Sequence, residues 1–298
     1  MIKRTLYFGN PAYLKTSNEQ LVIEMQESGE TRTIPAEDIG LLILDHQQIT
    51  LTHGLVAKLL EKNAALITCD ASHHPTGLML NLDGHTLQSQ KFKAQVEASL
   101  PLKKQLWQQT VVAKINNQAA LLRKNRRPFQ SLTNYADEVK SGDSGNQEAR
   151  AAAYYWKNIF PDLAAFRRDR YGLPPNNLLN YGYAVLRALV ARSLVGSGLL
   201  PTLGIHHQNQ YNAYCLADDM MEPYRPFVDR LVCSLVAAED PAVEITGAVK
   251  KQLLTLPALD VIIENQKSPL MNAVQKTTAS LARCFEGRSR KLSFPELQ

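Results

Sequence analysis

The stretch Gly204-Ile205-His206-His207, followed by Asp218-Asp219-Met220-Met221-Glu222-Pro223-Tyr224-Arg225-Pro226, sets imidazoles and carboxylates inside an otherwise apolar run. With a helix starting near Ala217, Asp219 and Glu222 stand three residues apart on one face, and Asp218 and Glu222 four apart. Like charges held side by side repel, and a divalent cation relieves the repulsion. Carboxylate oxygens suit hard ions such as Mg²⁺, while an imidazole nitrogen in the same set shifts the preference toward Mn²⁺. A blander arrangement has the same spacing: Asp218 and Asp219 as dipole-favoured residues of a helix N-terminus, and Glu222 in a surface pair with Arg225. Spacing leaves both open, as it does His206 against His207 and Asp218 against Asp219.

A further acid, Glu148, lies in Gly145-Asn146-Gln147-Glu148-Ala149, near the start of a helix predicted over 147–159. Small side chains at Ala149, Ala152 and Ala153 permit another helix to come close, which would turn Glu148 toward the His207 cluster. On its own Glu148 reads as an acid stabilised by the helix dipole.

The elements that must position these groups fall into two parts. Short strands are predicted at 5–8, 20–25, 30–34, 39–44, 65–68 and 78–82, with one amphipathic helix at 53–62. Beyond residue 86 the period becomes helical, through 88–100, 102–122, 147–159, 178–195, 217–237 and 270–285. The fold class is therefore α+β: a β-rich, sandwich-like domain over 1–86, then a larger all-α domain over 87–298 that carries the site. Ser141 to Asn146 reads as a short flexible loop. The net charge is +5, with 8 basic and 10 acidic side chains in residues 1–95 and 25 and 18 thereafter, so a polyanion is drawn to the second part.

Three stretches in this order match a known pattern: Gly145-x-x-Glu148-Ala149; Pro174-Pro175-Asn176-Asn177-Leu178-Leu179-Asn180-Tyr181-Gly182-Tyr183; and Gly204-Ile205-His206-His207 leading to Asp219-Met220-Met221-Glu222-Pro223. Through them the chain resembles the CRISPR-associated integrase family, the Cas-one proteins, and the resemblance covers the whole chain. The Asp-Asp-Met-Met-Glu-Pro-Tyr-Arg-Pro form looks like the type II branch, which accompanies Cas-nine. The resemblance implies Mg²⁺ or Mn²⁺ held by Glu148, His207 and Glu222, with Asp219 as a further catalytic acid. His207 and Asp219 are chosen because they keep the motif frame, the histidine closing Gly-x-x-His and the aspartate standing three before Glu222.

It also implies a reaction: the 3′-hydroxyl of a short protospacer DNA attacks a phosphodiester at the edge of a CRISPR repeat, so that spacers are inserted by transesterification. Two attacks a repeat-length apart need more than one site, and the family works as homodimers bridged by a Cas-two dimer, with Cas-nine a further candidate partner. The β-rich domain, with its sheet edges, is expected to form much of the homodimer contact. Two other classes remain to be distinguished, a DNA-binding scaffold without catalysis and a metallohydrolase acting on small esters.

Arg123, Lys124, Arg126 and Arg127 form one basic cluster and Arg167 and Arg168 belong to a second, both expected to contact duplex phosphates; Arg288 to Lys291 lies near an end expected to be mobile. Tyr181 reads first as core packing, with stacking on a DNA end as its alternative. His73-His74 reads as a loop at a sheet edge, lacking a carboxylate cluster. The four cysteines show no metal-binding spacing and read as reduced thiols. No apolar run reaches the roughly 18 residues of a membrane span, and the first residues lack a signal-peptide pattern, which together predict a cytoplasmic protein with no membrane partner.

Overall fold

The computed structural model describes residues 3–26, 28–160, 162–163, 166–238 and 244–298. The chain divides into two compact units, residues 1–88 and 89–298. The first contains β1 (Arg4–Phe8), β2 (Ala12–Ser17), β3 (Gln20–Met25), β4 (Thr31–Pro35), β5 (Ile39–Leu44), β6 (Ile49–Leu51), α1 (His53–Glu61), β7 (Ala65–Cys69) and β8 (Pro75–Met79). They form two four-stranded sheets, ordered β1-β5-β7-β8 and β4-β3-β2-β6. Strand β5 pairs in parallel with β1 and β7, and its run Ile39-Gly40-Leu41-Leu42-Ile43 is buried throughout. A continuous apolar run is what a central parallel strand covered on both faces requires. Helix α1 starts at Thr52, whose hydroxyl accepts from the Leu55 N–H, and sends Leu55 and Leu59 into a core with Leu14, Leu21, Ile23 and Leu42.

Two local readings change here. The last strand is Pro75–Met79, earlier than the predicted 78–82, and Leu82 is exposed. His73 does sit in a turn, but it has a carboxylate partner after all: its Nδ1 is 2.8 Å from Oδ1 of buried Asp45, whose Oδ2 accepts from the Tyr7 hydroxyl at 2.6 Å. Asp45 is distant in sequence, so no local pattern could reveal the pair.

The second unit contains nearly all of α2 (Gln88–Val96), then α3 (Leu100–Lys124), α4 (Gln130–Asp137), α5 (Gln147–Ile159), α6 (Asn176–Gly196), α7 (Cys215–Met221), α8 (Arg225–Ala238), α9 (Gly247–Leu253) and α10 (Leu270–Phe285). It is mostly helical, with one hairpin the sequence reading passed over, β9 (Asp260–Ile263) and β10 (Gln266–Pro269). The hairpin turns on Glu264 and Asn265, both with positive φ, as a two-residue turn matched to strand twist demands. The helix predicted over 217–237 is broken into α7, a 3₁₀ turn Glu222–Tyr224, and α8. Pro223 and Pro226 lack the N–H groups that a continuous helix would use there. The C-terminal segment is packed down: Leu292 and Leu297 are buried, and the Leu297 N–H donates to Asn117 Oδ1. Among the described residues no helix is long and apolar enough to cross a membrane.

Helices α6 and α8 approach closely at Gly182, where an added Cβ would stand 2.4 Å from Val228 Cγ1. Valine is stiff about χ1 and cannot swing clear. Gly182→Ala is expected to destabilise the chain by about 1–3 kcal/mol. Adding Val228→Ala should restore part of the loss in urea unfolding; additive losses would show that the two positions do not collide.

Candidate metal centre

The second unit assembles its polar cluster on one long helix. Along α3 the buried positions Trp107, Thr110, Val111, Lys114, Ile115 and Gln118 repeat at helical spacing, and Lys114 is the charged member of that inward stripe. Trp107 and Lys114 lie seven residues apart, close to two turns, and so project on the same side.

Lys114 Nζ is 2.5 Å from Glu148 Oε1 and 2.6 Å from Glu222 Oε2. Glu148 enters from the first turn of α5. There Asp143, on the tight turn that replaces the expected flexible loop, accepts the N–H groups of Gln147 and Glu148 at 2.9 and 3.0 Å. The explanation from small residues does not hold, because Ala149 and Ala153 are exposed and Ala151 and Tyr155 face the core. Glu222 enters from the turn between α7 and α8, held by its neighbours: Asn117 donates to the Pro223 carbonyl at 2.8 Å, and Arg225 Nε donates to Glu222 Oε1 at 2.8 Å. Thus the Glu222–Arg225 pair exists, but it is buried rather than a surface pair.

Burial alone would raise the Glu222 carboxyl, yet Arg225 and Lys114 outweigh it and draw the pKa down to about 2. Burial would likewise lower the Lys114 ammonium, and Glu222 and Glu148 hold it above the usual lysine value. Glu222 therefore presents charged oxygens to the small space where Glu148 also meets Lys114.

The two aspartates and the two histidines make different contacts. The wholly buried Asp219 carboxylate receives the backbone N–H groups of Ile205 and His206 on Oδ2, at 2.7 and 2.9 Å, and that of His207 on Oδ1 at 3.3 Å. Oδ1 also lies 2.5 Å from His207 Nδ1. An ionised carboxylate only accepts, so Nδ1 carries the proton and Nε2 keeps its lone pair for a ligand. The hydrogen bond to Asp219 raises the His207 pKa, against the effect of burial. Asp218 faces elsewhere, forming a two-point pair with Arg187 at 2.7 and 3.0 Å and accepting from Asn212. His206 stacks flat on Trp107 with ring centroids 4.1 Å apart, and burial and the neighbouring His207 lower its pKa. It anchors the loop by that stacking; both imidazoles keep exposed surface, and His207 is the one held by Asp219.

The donor set suits a divalent ion. Two charged carboxylates and an imidazole whose second nitrogen is already committed form a mixed oxygen and nitrogen set. Glu222 Oε2 is buried and meets Lys114 as an ion contact without the alignment of a hydrogen bond, so it has capacity for a ligand. Among the described residues no three His, Cys, Asp or Glu side chains already form a cage. The Lys114 ammonium takes the position between two of them.

Tyr183, Arg225 and Asp229, the last of which the sequence reading passed over, support the centre from behind. The Tyr183 and Tyr155 hydroxyls donate to buried Asp229 at 2.5 and 2.7 Å, tying α5, α6 and α8 together. The Arg225 guanidinium lies over the Tyr183 ring, 4.5 Å from its centroid. Tyr181, the candidate for stacking on DNA, is corrected to a core residue: it has no exposed surface and cannot reach a base. Arg168 is drawn inward, donating to Asn176 and Asn180 and covering Tyr183, whereas Arg167 is exposed. Of the first basic cluster, Arg123 and Arg126 are exposed, Lys124 donates to the Gln298 carbonyl, and Arg127 lies 3.9 Å from Asp162.

The fold is that of solved proteins of one kind. A casposase bound to integration product aligns with a TM-score of 0.79 at 21% identity, over 98% of this chain and 92% of that one. A Cas1 protein from Thermotoga maritima aligns at 0.74 and 18%, over 96% and 98%. Residues 6–244 match the family described as CRISPR associated protein Cas1. The CRISPR-associated endonuclease Cas1 of Neisseria meningitidis serogroup C is 37% identical over the whole chain and 97% of its own length, and a Cas1 of Pyrobaculum aerophilum is 26% identical over 92% and 96%. The chain belongs to the Cas1 family.

Gly204 shows how tightly the His207 loop is folded, since an added Cβ would stand 2.3 Å from the His207 carbonyl oxygen and 2.8 Å from Asp219 Oδ2. Gly204→Ala is expected to break the Asp219–His207 contact, seen as loss of the downfield His207 ring N–H resonance. Its retention would show that the loop can shift. Burial pushes the Asp229 carboxyl up to about 6, despite the Tyr183 and Tyr155 hydrogen bonds, so the folded chain keeps a proton that the unfolded chain releases. That contribution to stability is complete below about pH 4 and lost as pH rises through about 6. Urea midpoints of Asp229→Asn should lack this fall, and a fall equal to the wild type's would reject the assignment.

Proposed function

We propose that this Cas1 protein is a metal-dependent DNA endonuclease and integrase that joins the 3′-hydroxyl of a protospacer DNA to a CRISPR repeat by transesterification. The observation that carries the reading is the convergence of Glu148 and Glu222 on one cation, in a Cas1-family chain whose His207 is fixed by Asp219. Glu148, His207 and Glu222 would hold Mg²⁺ or Mn²⁺. When bound, the ion supplies charge stabilisation at the phosphoryl oxygen and at the leaving 3′-oxygen.

The chain's own residues do the positioning. Asp219 keeps His207 in the tautomer with Nε2 free, and Trp107 holds the same loop by stacking on His206. Asp143 holds Glu148 through the α5 N-terminus, while Asn117 and Arg225 hold Glu222. Arg123, Arg126 and Arg167 offer exposed guanidinium groups to backbone phosphates, and Arg187, aligned by Asp218 and partly exposed, adds one close to the His207 loop.

Homodimers joined by a Cas2 dimer would bring two such centres to the two ends of a repeat. The edges of the first unit's sheets are where we place the homodimer contact, and Cas9 is a candidate further partner. A solved fold neighbour is a complex of a Cas6-RT-Cas1 chain with Cas2, at a TM-score of 0.75 and 20% identity.

With Cas2 and Mn²⁺ present, Glu148→Gln and His207→Ala are each expected to slow joining of a 3′-hydroxyl DNA to a repeat-bearing duplex by on the order of a hundredfold or more. DNA binding at moderate salt should be unchanged. Joining at wild-type rates would reject the catalytic assignment in favour of a DNA-binding scaffold, and hydrolysis of small esters without DNA binding would favour a metallohydrolase.

A further inference from the structure

We propose that Lys114 is the resident cation of the Glu148–Glu222 pair, and that a divalent ion enters by displacing its ammonium from between the two carboxylates. The proposal rests on reading Glu148 and Glu222 as metal ligands, and it assigns the site a built-in competitor for the metal.

Three features of the geometry lead to it. First, Lys114 is 7% exposed, and its only ion pairs among the described residues are with Glu148 and Glu222, at 2.5 and 2.6 Å. It therefore occupies the point at which carboxylate oxygens from α5 and from the turn after α7 converge, which is where an ion bridging them would lie. Second, the charge is already balanced: Glu148 and Glu222 face Lys114 and Arg225, two negative groups against two positive ones. A dication added to that set meets an excess of positive charge in a buried site, where repulsion is weakly screened. Third, the two cations are held differently. Arg225 is fixed by its Nε contact to Glu222 Oε1 and by the Tyr183 ring, whereas Lys114 donates one hydrogen bond, to Glu148, and meets Glu222 Oε2 without hydrogen-bond alignment. A flexible methylene chain ending in a point charge is the easier group to move. The Lys114 backbone can stay in α3 while its side chain swings.

A lysine that merely props up the site and a lysine that competes with the ion predict opposite signs. Without Lys114 the carboxylates repel each other in the metal-free protein, and the ion no longer has a positive charge to displace. Lys114→Met is therefore expected to lower the metal-free Tm by several degrees. It should also tighten Mn²⁺ binding by about tenfold or more, read by titration calorimetry on the full chain. Saturating Mn²⁺ should raise the Tm of Lys114→Met more than that of wild type. Lys114→Arg, which keeps the charge, should return both quantities toward wild type.

Glu148→Gln measured alongside separates the two claims. If neither wild type nor Lys114→Met binds Mn²⁺ in a Glu148-dependent way, the metal reading falls and takes the proposal with it. If wild type binds through Glu148 and a folded Lys114→Met binds equally or more weakly, the metal reading stands and the proposal is overturned. Should Lys114→Met fail to fold, a crystal structure of the wild type with Mn²⁺ decides. Lys114 Nζ moved away from at least one carboxylate supports displacement, and Nζ still within ion-pair distance of both contradicts it.

Discussion

Lys114 places one positive charge between a carboxylate of α5 and one of the turn between α7 and α8, and much of the second unit is arranged so that this contact can form. Buried Glu222 and half-buried Glu148 left unpaired would repel each other, and the cation between them lets α5 and the turn after α7 converge on α3. Helix α3 supplies that cation, and its neighbours on the same side do related work. Trp107 holds the His206-His207 loop by stacking, and Asn117 holds the turn after Glu222 through the Pro223 carbonyl. The loop is held again from below by Gln95 of α2, which bonds the Leu200 backbone on both its donor and acceptor sides.

A second set of contacts keeps this arrangement rigid. Asp229 joins three helices through the hydroxyls of Tyr155 and Tyr183, and Tyr183 presents its face to Arg225. Arg225 is thereby fixed from two directions as it grips Glu222. Burial raises the pKa values of both tyrosines well above the ordinary range, so they remain donors. Asp219 uses a different device: peptide N–H groups turned toward one carboxylate form an anion-binding nest, which lets a fully buried acid stay in place without a neighbouring lysine or arginine.

Sequence reasoning reached the strand-rich part, the helical part and the Cas1 family, because apolar periodicity is local and the three motifs stand in a fixed order. It also named Glu148, His207, Asp219 and Glu222, the acids and imidazole that the fold gathers around Lys114 and the His207 loop. Spacing left open which histidine and which aspartate mattered, and only the family's motif frame chose His207 and Asp219; the contacts that distinguish the neighbours come from Trp107 and Arg187, on helices far away in the chain. Sequence reasoning read 217–237 as one helix, although Pro223 and Pro226 were visible signals of a break. Lys114 was missed for a different reason: it was hidden inside a long helical stretch and belonged to no motif. The available sign was a charge within the inward stripe of α3, which asks for a buried partner. For Tyr181 the first reading, core packing, is what the fold shows, and the alternative of stacking on DNA falls with its burial.

Replacing Mg²⁺ by Fe²⁺ and generating hydroxyl radicals at the bound ion would test the central claim, that these residues enclose a divalent cation, most directly. Radicals made at a metal cut the backbone that lies beside it, and mass spectrometry reads the cuts. Binding at this centre predicts cleavage near Glu148, His207 and Glu222 together, suppressed by excess Mg²⁺. Cleavage confined to other segments, such as that around Asp45 and His73, would contradict it.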